Sequence, residues 1–163
     1  MTEIARMLEA NAAYAPSHEG LSSAKPARRV AVVTCMDARI DVFAALGLQL
    51  GDAHVLRNAG GRVTEDVLRS LALSTHVLGV DTVLLMQHTR CGLAGVTDEQ
   101  LQEATGAADV GFLPIHDHGE ALLQDLELLK AQPYLDTIEL VAGCVYDVDT
   151  GALTDLHRWP RGS

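Results

Sequence analysis

Cys35, Asp37 and Arg39 stand two residues apart in TCMDAR (34–39), directly after the apolar run RVAVV; His88 and Cys91 form an H-x-x-C pair after a second apolar run, DTVLLMQH. On an extended chain alternate side chains share one side, so this spacing predicts a thiol, a carboxylate and a guanidinium together where a strand ends. Thiolates and imidazoles are zinc ligands, and catalytic zinc sites use three protein ligands with an open fourth position. Cys35, His88 and Cys91 supply such a set if the two strand ends are neighbours. An H-x-x-C pair alone suits two core residues equally well. The elements around the motifs have to decide.

Those elements alternate between strand and helix. Residues 1–15 carry Ile4, Met7 and Leu8 at helical spacing, which predicts a short amphipathic helix. The turn-rich stretch 17–28 connects it to a first strand, 29–35, apolar throughout and so expected to be covered on both faces. A short helix over 40–46 stops at Gly47, and a second strand runs over 53–58. Gly60 and Gly61 then turn the chain into a helix that Thr64 caps and that runs to about Leu78. A third strand spans 81–88. Thr97 and Gln100 spell a capping box for a further short helix. Leucines at 122, 123, 126 and 129 mark a helix over 120–130, and 137–148 is a fourth strand, followed by a turn and a short last one.

Strands separated by helices imply an α/β fold with a mainly parallel sheet of about four strands, plus a short final antiparallel strand, flanked by helices. Ligands bind such sheets beyond the carboxyl ends of strands, where strand order switches, and both motifs sit at strand ends. One domain is expected: helix and connection over 1–28, core over 29–156, tail over 157–163. The ending RWPRGS resembles the remnant of a protease site, so no function is placed on Trp159 or Arg161.

Composition excludes several function classes. The 163 residues carry a formal net charge of −10 and no basic cluster, so nucleic acid is not an expected partner. No run is apolar enough to span a bilayer, and the start lacks the basic and apolar regions of a signal peptide. No membrane partner is expected, and the expected location is cytoplasmic. Three cysteines without an export signal fit thiols or metal ligands better than a disulfide framework. A nucleotide-binding α/β domain would need a glycine-rich loop after the first strand, and TCMDARID has none.

C-x-D-x-R at one strand end, H-x-x-C at another and RNAG (57–60) between them resemble the β-class carbonic anhydrases over residues 30–92. YDVDTGAL (146–153) is similar to that family's last hairpin. The chain has TCMDAR where SCSDSR is common, and its RNAGG departs from the usual ending in asparagine. The resemblance implies one Zn2+ per chain on Cys35, His88 and Cys91, an Asp37–Arg39 pair beside it, and Gly60 and Gly61 against the substrate. It also implies a homodimer or dimer of dimers, with the N-terminal helix on the partner. The implied reaction is the reversible hydration of carbon dioxide to bicarbonate and a proton. Two thiolates neutralise the zinc dication and weaken its pull on bound water, yet hydroxide remains accessible near neutral or mildly alkaline pH. Asp37 then accepts that hydroxide's hydrogen bond, and Arg39 holds Asp37 off the metal through a bidentate pair. Carbonyl sulfide and carbon disulfide hydrolases are similar to the same family and share its ligands, so either compound is an alternative substrate. A non-catalytic zinc site, closed by Asp37, is a further alternative.

The remaining candidates have structural readings. Cys144 is a core residue, His116 and His118 are surface histidines, and His54 and His76 are structural. Arg57 and Asn58 are expected as buried polar supports, His157 as part of the tail. Gly60 and Gly61 equally serve as turn glycines.

Overall fold

Apolar side chains leave the strands on both faces, and each face is covered, in a computed structural model that describes residues 1–160. Arg161 and the rest of the expected tail beyond it lie outside the described residues. The strands are β1 (Val30–Cys35), β2 (Ala53–Asn58), β3 (Thr82–His88), β4 (Leu140–Tyr146) and β5 (Leu153–Pro160). They form one sheet in the order β2-β1-β3-β4-β5, parallel except for the antiparallel β4–β5 pair. Ala31, Val33, Val83 and Leu85 pack with Val67 and Leu71 of α3 (Glu65–His76) and Leu122 and Leu126 of α5 (His118–Lys130). On the other face Val32, Met86 and Cys144 pack with Ile40, Val42, Leu93 and Ile115. Burial on both faces is why these strands are continuous apolar runs instead of alternating ones.

Side-chain caps place the helices. Thr2, Asp41, Thr64, Thr97 and Asp117 start α1 (Glu3–Tyr14), α2 (Val42–Leu46), α3, α4 (Asp98–Thr105) and α5, each accepting a bond from a backbone N–H of the first turn. The capping box between Thr97 and Gln100 is formed. α1 buries none of its residues, and Ile4, Met7 and Leu8 remain 65%, 58% and 67% exposed.

The last strand is not short. β5 has eight residues and pairs with β4 as far as Pro160, so residues 157–160 belong to the sheet and not to a tail. Trp159 packs against the core on the α3–α5 side, with the Lys130 amine 4.7 Å from its ring centroid, and His157 Nε2 lies 3.1 Å from the Gly119 carbonyl. An edge strand with a solvated side lacks the apolar run that marks a central one, which is why TDLHRWP hides it.

β1 lies between β2 and β3, so the strand order reverses there. That is the switch point at which open α/β sheets bind ligands.

Candidate metal centre

β1 ends at Cys35 and β3 at His88, and their parallel pairing carries both carboxyl ends to one edge. Cys91 follows on a turn in which Arg90 takes a φ of 53°. The ligand atoms of Cys35, His88 and Cys91 all lie within 4.8 Å of one another, and all three residues are buried. The two sulfurs are 4.0 Å apart. His88 Nδ1 lies 2.9 Å from the Thr89 carbonyl, which only an N–H can satisfy, so Nε2 is the nitrogen left to the cluster. Nε2 is buried and has no hydrogen-bond partner among the described residues. Leaving such a group unsatisfied costs about 1–3 kcal/mol, a cost that a metal accepting its lone pair removes. Two thiols and this nitrogen suit a thiophilic divalent cation.

The charge state of the cluster fits the same purpose. A hydrogen bond from Cys91 draws the Cys35 thiol far below its ordinary range, against the opposing effect of burial. The same contact, together with burial, pushes Cys91 up. For His88, burial works downward, but the Cys35 sulfur, the Thr89 carbonyl and the Asp37 carboxylate together leave the imidazole raised. Such a cluster releases protons as a cation binds.

Asp37 and Arg39 meet by a different geometry from the one their spacing predicts. The strand stops at Cys35, and residues 36–39 turn. Arg39 N and Nε each donate to Asp37 Oδ1 at 2.9 Å, and Arg39 Nη2 donates to Oδ2 at 2.6 Å. An aspartate accepting from the backbone two residues on is a turn former, so the turn and not strand alternation makes the pair. Arg39 Nη2 also donates to the Arg90 carbonyl at 3.0 Å. The guanidinium holds the Asp37 carboxyl well below the usual carboxylate range. Asp37 Oδ2 is 3.8 Å from His88 Nε2, so an ionised carboxylate faces the cluster while both its oxygens are held.

Arg57 and Asn58 support this arrangement. Arg57 donates to the carbonyls of Cys35, Asp37 and Ile40 at 2.9, 2.7 and 3.3 Å, although it is more exposed than expected. Asn58 closes the turn over 59–61 through both the N–H and the carbonyl of Arg62. Gly60 and Gly61 take φ of 75° and 64° within that turn. A Cβ on Gly61 would lie 2.9 Å from the backbone of Thr34 and Cys35. Gly61→Ala therefore meets a positive φ and a backbone clash together, and an expected destabilisation of at least ~2 kcal/mol is checked by thermal unfolding.

A cavity of about 350 Å³ opens beside the cluster, walled by Met36, Gly60, Leu93, Leu101 and Phe112, with Asp37 the charged group on its surface. Gly60 thus lines the cavity, while Gly61 lies behind it. Leu101 and Phe112 come from the segment over the site and carried no motif. Cys144 is buried in the sheet opposite Met86. His116 is exposed, but His118 is half-buried, with Nδ1 2.8 Å from Gln87 Oε1, so it is not a plain surface histidine.

Residues 30–133 match the sequence profile of the carbonic anhydrase family. The chain belongs to the β-carbonic anhydrases. Beta-carbonic anhydrase 1 of Mycobacterium tuberculosis is 37% identical over 162 residues, covering 96% of this chain and 99% of that protein. The solved structure of the carbonic anhydrase from Streptococcus mutans superposes with a TM-score of 0.86 at 44% identity, covering 96% of this chain and 99% of that one. The carbon disulfide hydrolase of Acidianus sp. is 31% identical over 155 residues, 77% of this chain and 76% of that enzyme. The mainly parallel α/β sheet expected from the sequence is the β-carbonic anhydrase fold. Among the described residues no helix is long and apolar enough to cross a membrane.

Proposed function

We propose that this protein catalyses the reversible hydration of carbon dioxide to bicarbonate and a proton, with one zinc ion per chain on Cys35, His88 and Cys91. The observation that carries this reading is a buried pair of thiols and a partnerless imidazole nitrogen beside a carboxylate locked by arginine, on the β-carbonic anhydrase fold. Zinc, when bound, supplies Lewis acidity and water activated near neutral pH.

The chain's own residues do the rest. The apolar wall of Met36, Leu93, Leu101 and Phe112 accepts a small, linear, weakly hydrated substrate and keeps bulk water from it. Asp37, kept ionised by Arg39, accepts the hydrogen of the attacking oxygen and so turns a lone pair toward the substrate carbon. As the new carbon–oxygen bond forms, a carbon–oxygen π pair moves to a substrate oxygen. The product leaves as bicarbonate, and the second proton of water passes to solvent. Arg39 keeps Asp37 from turning into the cluster.

The working unit is a homodimer or a dimer of dimers in the cytoplasm. Support for assembly comes from α1, whose apolar stripe stays exposed among the described residues and suits a second copy. Buried Cys35 and Cys91 thiols suit a reducing compartment.

The same apolar wall accommodates carbonyl sulfide and carbon disulfide, which makes their hydrolysis the second reading. Stopped-flow assays with a pH indicator are expected to show carbon dioxide hydration well above background, rising with pH. Parallel assays follow sulfide release from carbonyl sulfide. Strong sulfide release with negligible hydration would reverse the assignment.

A further inference from the structure

Arg62 follows the Gly60-Gly61 turn and is 4% exposed; its partner Asp125, on α5, is 2% exposed. Arg62 Nε and Nη2 donate to Asp125 Oδ2 and Oδ1 at 2.8 and 3.2 Å, and Nη2 also reaches Gln124 Oε1 at 3.3 Å. Nη1 donates to the Leu113 carbonyl at 2.9 Å. Leu113 has a φ of 57°, a conformation that a leucine holds only when its surroundings impose it. Its neighbour Phe112 walls the cavity, with its N–H held by Asp98 Oδ1 at 2.6 Å. The main chain of Arg62 is meanwhile fixed by Asn58 in the turn that presents Gly60 to the same cavity. One arginine is therefore tied through its backbone to the Gly60 wall and through Nη1 to the Phe112 wall.

Stability does not explain burying this pair. Burial pushes the Asp125 carboxyl up, and Arg62 offsets only part of that. Well-packed apolar residues in place of a buried ion pair are often neutral or stabilising. What the pair supplies is direction, because a planar fork serves Asp125 and the Leu113 carbonyl at once.

We propose that Arg62, held by Asp125, is a positioning residue that sets the spacing of the Gly60 and Phe112 walls and so the fit of the cavity to a small linear substrate. The substrate class rests on the hydration reading above; the spacing claim rests on the geometry alone.

Phe43 and Phe112 are the only phenylalanines in the chain, so protein labelled with 4-fluorophenylalanine gives two fluorine resonances. Phe43, on α2, is the internal control. Arg62→Lys keeps a cation for Asp125 but loses the fork. Arg62→Met combined with Asp125→Leu replaces the pair by apolar packing. Both are expected to shift or broaden the Phe112 resonance and leave Phe43 unchanged. Both should raise KM for carbon dioxide about five- to tenfold with kcat within about twofold, the pattern of lost uniform binding in an apolar pocket.

Folded variants with a wild-type Phe112 resonance and a wild-type KM overturn the proposal. A fall in kcat that follows metal content at unchanged KM overturns it as well. If the lysine variant does not fold, the double variant decides. Failure of both to fold also counts against the proposal, which gives the pair a geometric role and not a folding one. A wild-type protein without hydration activity would sink the functional reading, while the fluorine spectra would still decide the spacing claim.

Discussion

Arg39→Ala is expected to keep its zinc and lose carbon dioxide hydration by roughly two orders of magnitude, the scale set by losing a preorganised polar group at a reacting centre. Arg39 occupies both oxygens of Asp37, and Asp37 Oδ2 is already 3.8 Å from His88 Nε2. Without the guanidinium a free carboxylate would stand beside the proposed zinc, and carboxylate oxygens are good zinc ligands. It would then compete for the open position that a bound zinc offers to water. Asp37→Asn should also keep zinc and react slowly, but for another reason: an amide does not enter as an anionic ligand and orients the attacking oxygen poorly. Cobalt substitution separates the two, with an added carboxylate in the first variant and an open position in the second. Near-normal activity in Arg39→Ala would reduce the pair to a surface salt bridge, which are typically worth under about 1 kcal/mol.

Cys91→Ala should lose the metal itself. A zinc site is worth about 12 kcal/mol of binding in small folded sites, so removing one of three protein ligands is expected to weaken affinity on the order of a thousandfold. Metal analysis after dialysis, followed by competition with a chromophoric chelator, measures this. Full occupancy with unchanged geometry in Cys91→Ala would refute the ligand assignment. Cys144→Ala is the control and should leave metal content unchanged, because that residue lies on β4, outside the ligand cluster.

The central strands, and the meeting of Cys35, Asp37, Arg39, His88 and Cys91 at one edge of the sheet, are legible because each signal is local: an apolar run, a short spacing, a strand end. Strand alternation predicts the proximity of Asp37 and Arg39, and a turn delivers it instead. The full length of β5 is hidden in the sequence because an edge strand needs no continuous apolar run. Arg62 is silent in the sequence because its partner lies 63 positions away, and nothing short-range marks a buried ion pair. Leu101 and Phe112 are equally silent, since their place in the cavity wall comes from tertiary packing and not from any period along the chain.

The sulfurs of Cys35 and Cys91 are 56 residues apart in sequence and 4.0 Å apart in space, brought together by the parallel pairing of β1 and β3. An unfolded chain does not hold them together, so a metal bound there would recognise the finished fold and draw the folding equilibrium toward it. Free metal at a hundred times its dissociation constant adds about 2.7 kcal/mol to the folded state. A shift of that size changes how much of a protein survives cellular proteolysis. Scarcity of the ion would then thin the population of molecules as well as silence each one, making the protein's abundance a gauge of the cell's metal supply.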